Sequence, residues 1–148
     1  MKIALVAHDQ KKDEMVRWGQ KWRSELARHE LCATGTTGGI LARELDLPIE
    51  RFRSGPLGGD LQLGAAISEG EIEMLVFFWD PLESQPHDPD IRALLRVAVV
   101  WNIPVATNPA SADFILSSPL MKGDYERENP DFTEHLERFE PGRKVEAS

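Results

Sequence analysis

Apolar residues recur along this chain in two alternating rhythms. Short β-like runs at residues 3–7, 30–33, 49–53, 74–79 and 103–107 predict five strands. Between them the spacing lengthens to helical steps. Met15, Trp18, Trp22 and Leu26 share one stripe at three- and four-residue intervals and predict a helix over 13–28. Ile91, Leu94, Leu95, Ala98 and Val99 do the same over 89–101, and shorter helices are predicted over 39–45, 61–68 and 111–117. The first and fourth strands are apolar nearly throughout, as strands covered on both faces must be. Strand and helix alternating five times imply a parallel sheet with helices on both sides. The expected fold class is α/β: a single-domain, three-layer sandwich around a five-stranded parallel sheet, Rossmann-like, over residues 1–120. Beyond Ser118 the rhythm weakens, and 121–148 read as a charged C-terminal tail with one short helix from Phe132 to Phe139 and a frayed end.

Composition narrows the function classes. A chain of 148 residues, 41% apolar with a formal net charge of -8, is expected to be one globular domain. The acidic balance, with no basic stripe, argues against a nucleic-acid partner. Cys32 is the one cysteine, so no intrachain disulfide can form; a reducing cytoplasm is expected, with Cys32 as a packing residue. The N-terminal apolar run turns polar after seven residues, too short for a secretory core, and no stretch approaches a membrane span.

Chemistry-bearing residues gather after the strands. Ligands of open parallel sheets bind beyond the carboxyl ends of the strands, and every predicted strand here is followed by a distinctive loop: "HDQKK" (8–12), "TGTTGG" (34–39), "SGPLGGD" (54–60), "DPLESQPHDPD" (80–90) and "TNPASAD" (107–113). The opposite-edge connections, "ARHE" and "LDLP", are plain. One site assembled from several loops is implied. "TGTTGG" offers hydroxyls and a helix start suited to a small anion, although an ordinary cap and turn explains it equally. Its glycines fit neither the dinucleotide fingerprint nor a Walker A loop. Lys12 after the first strand can neutralise phosphate charge, or can belong to a solvated polar loop with His8 and Asp9. In "SGPLGGD", Gly55, Gly58 and Gly59 allow close backbone approach to an anion, yet Asp60 at the helix mouth would repel one. Asp88 is a natural N-cap, Pro89 suits the first helical position and Asp90 suits the positive end of the dipole. None of that explains His87, just outside the helix on the ligand side. A helix N-terminus disfavours a protonated imidazole, leaving His87 able to give or take a proton at neutral pH. His8, His87, Asp60 and Asp80 could alternatively converge as metal ligands, but no metal-ligand spacing occurs in the sequence.

Taken together and in order from Lys2 to Ser118, "VAHD", "ATGTTG", "SGPLGGD", "FFWDPL", "PHDPD" and "NIPVATN" resemble the methylglyoxal synthase family. The resemblance implies a cytoplasmic lyase that converts dihydroxyacetone phosphate to methylglyoxal and inorganic phosphate, with no cofactor and no metal. By motif, Asp60 is the base and His87 handles the carbonyl and enol protons. Asp9, Asp80 and Asp90 complete the catalytic cluster, with His8 beside the substrate. Lys12, Thr34, Gly35, Thr36, Thr37, Ser54 and Gly55 match phosphate-binding positions, and Arg138 is the best match to an arginine in the family's tail. The resemblance also implies a homo-oligomer, a hexamer, with phosphate as inhibitor or allosteric ligand. The alternative is a non-catalytic, anion-sensing regulatory module of the same fold, which would keep the threonine-rich loop without needing Asp60 and His87.

Overall fold

The computed structural model describes residues 1–139 and Gly142; the expected frayed end lies outside these described residues. Five parallel strands, β1 (Lys2–Ala7), β2 (Glu30–Ala33), β3 (Glu50–Arg51), β4 (Met74–Phe78) and β5 (Val105–Ala106), form one sheet in the order β3-β2-β1-β4-β5. β1 is central, with Leu5 opposite Ala33 on one side and Val76 on the other. Successive side chains point to opposite faces, so each central strand feeds two cores. Ile3, Leu5, Ala7, Val76 and Phe78 pack with Met15, Trp18, Leu41, Leu45 and Leu116. Ala4, Val6, Leu75 and Phe77 pack with Leu63, Ile67, Ile91 and Leu94. That division sets the layers: α1 (Lys12–Lys21), α2 (Arg23–Leu26), α3 (Gly35–Leu45) and α6 (Pro109–Ser117) cover one face, and α4 (Gly59–Ser68) and α5 (Asp88–Val100) the other.

The architecture is the one expected from the sequence; several element boundaries differ. The helix expected over 13–28 is two. Trp22 leaves helical geometry (φ -103°, ψ 14°), its indole Nε1 donates to Asp113 at 2.6 Å, and Arg23 Nε donates to the Leu45 carbonyl at 2.7 Å. Side-chain anchors to neighbouring elements thus bend the chain where apolar spacing alone runs on. The edge strands β3 and β5 shrink to two residues each, against the expected 49–53 and 103–107. Short edges leave little unpaired backbone, a common protection against edge-to-edge association. Helices α3 and α4 start earlier than their apolar stripes, so "TGTTGG" supplies the first turns of α3 and Asp60 sits in the first turn of α4. Likewise α5 begins at Asp88 with His87 in the capping position; Asp88, expected as the cap, instead pairs with Arg92 at 3.1 Å.

The tail carries α7 (Thr133–Phe139). It returns to the carboxyl end of α5, where Trp101 meets Phe132 edge-on at 5.1 Å and Asn102 Nδ2 donates to the Glu128 carbonyl at 2.8 Å. That end of a thirteen-residue helix lies about 20 Å from His87 at the other.

Candidate active site

Strand order reverses at β1, which has β2 on one side and β4 on the other. The crevice beyond the carboxyl ends of β1 and β4 is where such sheets bind ligands. A cavity of about 80 Å3 opens there, lined by residues from four strand–helix connections. Its size suits a small phosphate ester and falls far short of the several hundred Å3 of sites for drug-sized ligands.

His8 follows β1 directly. Its ring is almost fully buried, edge-on to Phe77 at 5.1 Å and to His87 at 5.9 Å. Nδ1 accepts the Asp80 backbone N–H at 2.9 Å, bridging the β1 and β4 loops. With Nδ1 an acceptor, the neutral ring carries its proton on Nε2, a buried atom with no hydrogen-bond partner at the cavity wall. Burial pushes the His8 pKa below the ordinary histidine value, reinforced by the His87 and Lys12 charges and opposed by Asp80 and Asp9. Its neutral state and its tautomer therefore agree.

Lys12 opens α1 at the cavity rim. Its ammonium donates to Asp9 Oδ1 and to the Ala7 carbonyl at 3.3 Å, and the ion pair holds the Asp9 carboxyl below its usual range. Thr37 Oγ1 donates to the same Ala7 carbonyl at 3.2 Å and accepts from Thr34 Oγ1 at 3.5 Å. These cross-links fix the start of α3 against β1. At a helix start the first amides lack intrahelical acceptors, so those of Thr36 and Thr37 are free for an anion.

The "SGPLGGD" segment forms a 3-10 turn over Gly55–Leu57 and then enters α4. Gly58 takes the left-handed conformation at φ 100°, and a β-carbon at Gly59 would lie 1.9 Å from the Arg53 carbonyl oxygen. Only glycine permits that approach, which brings Asp60 beneath the cavity. The Asp60 carboxylate is 1% exposed and neither oxygen has a hydrogen bond. His87 Nε2 lies 3.5 Å from its Oδ2, near enough for attraction but outside hydrogen-bonding geometry. Burial raises the Asp60 pKa, the His87 charge opposes this and the Asp90 charge adds to it. A poorly solvated, unpaired carboxylate of this kind is a strong proton acceptor.

Of the candidate residues, His8, Asp9, Lys12, Thr34, Thr36, Thr37, Ser54, Gly55, Asp60 and His87 meet at this one cavity. Asp80 and Asp90 stand behind it. The Asp80 carboxylate accepts the Leu82 amide at 3.1 Å while its own amide orients His8, and Asp90 reaches Asp60 only through its charge. Gly35 is the hinge beneath Thr36: a β-carbon there would lie 3.0 Å from the Phe52 carbonyl oxygen. Arg138 is exposed on α7, stacked on Phe139, and is not part of the cavity lining. Gln85, Pro56, Val6 and Ala7 also line the cavity and were not among the residues expected from the sequence. Gln85, two residues before His87, carried no signal beyond its place in a ligand-side loop. Among the described residues no group of three or more histidine, cysteine or acidic side chains is placed to share a metal ion.

Known proteins resemble this chain over most of its length. The family model described as "MGS-like domain" matches residues 14–107. The methylglyoxal synthase of Saccharophagus degradans is 60% identical over 134 residues, covering 90% of this chain and 87% of that protein. The methylglyoxal synthase of Coxiella burnetii (strain RSA 493 / Nine Mile phase I) is 56% identical over 138 residues, covering 93% and 96%. The crystal structure of methylglyoxal synthase from Elizabethkingia anophelis NUHP1 superposes with a TM-score of 0.86 at 50% identity, covering 99% of this chain and 93% of that one.

Proposed function

The chain belongs to the methylglyoxal synthase family, and from that premise we infer that it is a carbon–oxygen lyase converting dihydroxyacetone phosphate to methylglyoxal and inorganic phosphate. The observation that carries the residue assignment is a buried, unpaired Asp60 facing His87 at 3.5 Å, with a helix start for an anion across the same cavity. A base for this reaction must be ionised, close to carbon and clear of the phosphate. Asp60 takes the proton from the hydroxymethyl carbon; the C–H electron pair forms a C=C bond to the carbonyl carbon as the C=O π pair moves onto oxygen. His87 donates a proton to the developing oxyanion, giving the enediol. As His87 takes the proton from the hydroxyl on the former hydroxymethyl carbon, the enediol electrons expel phosphate from the other terminal carbon, breaking the C–O bond. The remaining enol takes a proton on its methylene, loses the proton of its hydroxyl and becomes methylglyoxal. Elimination requires the breaking C–O bond to align with the enediol π system.

The phosphate is held by the amides of Thr36 and Thr37, the Lys12 ammonium, Ser54 and the Gly55 backbone, with the neutral His8 Nε2–H directed at substrate oxygen. Asp9 holds Lys12, Asp80 holds His8 and Asp90 tunes Asp60. Well-placed general base and oxyanion donors each contribute roughly a hundredfold or more. A regulatory module would not need the Asp60–His87 pair. The exposed apolar side chains Leu57, Leu61 and Leu82 near the site support assembly into a homo-oligomer, a hexamer by the family resemblance. Arg138 is assigned to phosphate recognition or subunit communication within that assembly, and light scattering tests the mass. Among the described residues no helix is long and apolar enough to cross a membrane, and Cys32 is a free, buried thiol; we place the protein in the cytoplasm.

The test is incubation with dihydroxyacetone phosphate in the presence of a chelator, following phosphate and methylglyoxal together. Equal release of both supports the lyase. Tight phosphate binding without turnover would favour the regulatory module, and activity lost to the chelator would restore the metal reading.

A further inference from the structure

Gly38 and Gly39 are left unexplained by the substrate site, because both lie on the flank of α3 away from its free amides. What occupies that flank is Arg51, the last residue of β3. A β-carbon at Gly38 would lie 2.9 Å from Arg51 Cγ, and one at Gly39 would lie 3.1 Å from Cζ. The side chain therefore lies flat over the two glycines, and its Nε donates to the Gly35 carbonyl at 3.0 Å. Its neighbour Glu50 is engaged by Lys2, which leaves the guanidinium to the carbonyl.

Gly35 C=O and Thr36 N–H belong to one peptide unit. A trans peptide is planar, with its N–H directed opposite its C=O, so fixing the carbonyl from behind fixes the direction of the amide in front. A cation bonded to the carbonyl also polarises the unit and strengthens the N–H as a donor. The other side of Gly35 is gripped by the same segment, its N–H donating to the Arg53 carbonyl at 3.2 Å. Thr36 lines the cavity that also receives the buried, unpartnered Nε2 of His8.

We propose that Arg51 is a positioning residue for anion binding: it aims and polarises the Gly35–Thr36 peptide toward the phosphate of the substrate. The proposal rests on the reading of the α3 start as the phosphate site. It assigns the paired glycines a purpose, since they form the floor on which the arginine lies.

The test compares Arg51→Met, which keeps the stem over Gly38, with Arg51→Lys, which restores a cationic donor. Inorganic phosphate affinity is measured by calorimetry and kcat and KM by turnover. Thr37→Ala, which removes the hydroxyl tying the start of α3 to the Ala7 carbonyl and so releases its amides from their fixed direction, serves as a probe of the phosphate site itself. R51M is expected to weaken phosphate binding and raise KM by about three- to tenfold, with kcat and melting temperature nearly unchanged, and R51K to recover most of the loss. Phosphate affinity within twofold of the parent in R51M, while Thr37→Ala weakens it, would overturn the role of Arg51 alone. Phosphate affinity indifferent to both Thr37→Ala and R51M would overturn the placement of phosphate at α3. A fall in kcat and melting temperature without a change in KM would mean that Arg51 only supports the fold.

Discussion

His87 Nε2 stands 3.5 Å from Asp60 Oδ2, with the backbone of Gly55 packed against both side chains. A β-carbon at Gly55 would lie 2.9 Å from that nitrogen and 3.3 Å from Asp60 Oδ1. Glycine at 55 thus keeps acid and base facing the same small space, one from α4 and one from the cap of α5.

Gly55→Ala should therefore damage chemistry more than folding. Turnover of dihydroxyacetone phosphate is expected to fall about a hundredfold or more, the scale of a displaced general base or acid. Circular dichroism should show the parent fold. Near-parental kcat would mean that the space between the two side chains is not where the substrate reacts.

Asp60 also costs stability where it is ionised. Its folded pKa is raised above the unfolded value, so the folded state holds the proton more readily. The stability tied to neutral Asp60 is fully present below the unfolded value and is lost as pH rises through the raised one. Asp60→Asn should melt higher than the parent near pH 7.5, with the gain closing toward about pH 4. A gain that persists unchanged in acid would point to packing rather than charge.

The charge of Asp90 is one cause of the raised Asp60 pKa. Asp90→Asn should move the acidic limb of the kcat–pH profile to lower pH, since Asp60 then ionises more easily. A limb that stays in place, or moves to higher pH, would remove Asp60 from control of that limb.

His8 should be neutral with its proton on Nε2, because Nδ1 accepts the Asp80 amide and burial lowers its pKa. Nitrogen-15 spectra of histidine-labelled protein should show this tautomer at neutral pH, persisting below the ordinary histidine titration. A ring with its proton on Nδ1 would contradict the bridge between the β1 and β4 loops.

The fold was legible because β1 and β4 are apolar on both faces and the helical stripes at Met15–Leu26 and Ile91–Val99 are regular. Helix starts were less legible: α3 and α4 begin in glycine- and threonine-rich turns whose early residues face the ligand side, so hydrophobic periodicity is silent there. The break at Trp22 depends on Asp113, 91 residues away, and no local pattern encodes it. The convergence of loop residues on one edge was readable from strand–helix alternation, and Asp60 stood out as a carboxylate among anion-binding glycines. What separates Asp80 and Asp90 from the cavity wall is the direction of each side chain, which spacing does not determine. Arg51 gave no signal, since its partner is a backbone carbonyl sixteen residues earlier.

The most direct measurement is turnover and phosphate affinity on one variant, Asp60→Asn. The predicted result is loss of nearly all methylglyoxal formation, by about a hundred- to ten-thousandfold, with inorganic phosphate bound as tightly as by the parent or more so. A variant that still converts dihydroxyacetone phosphate at a substantial fraction of the parental rate would contradict the assignment of Asp60 as the base.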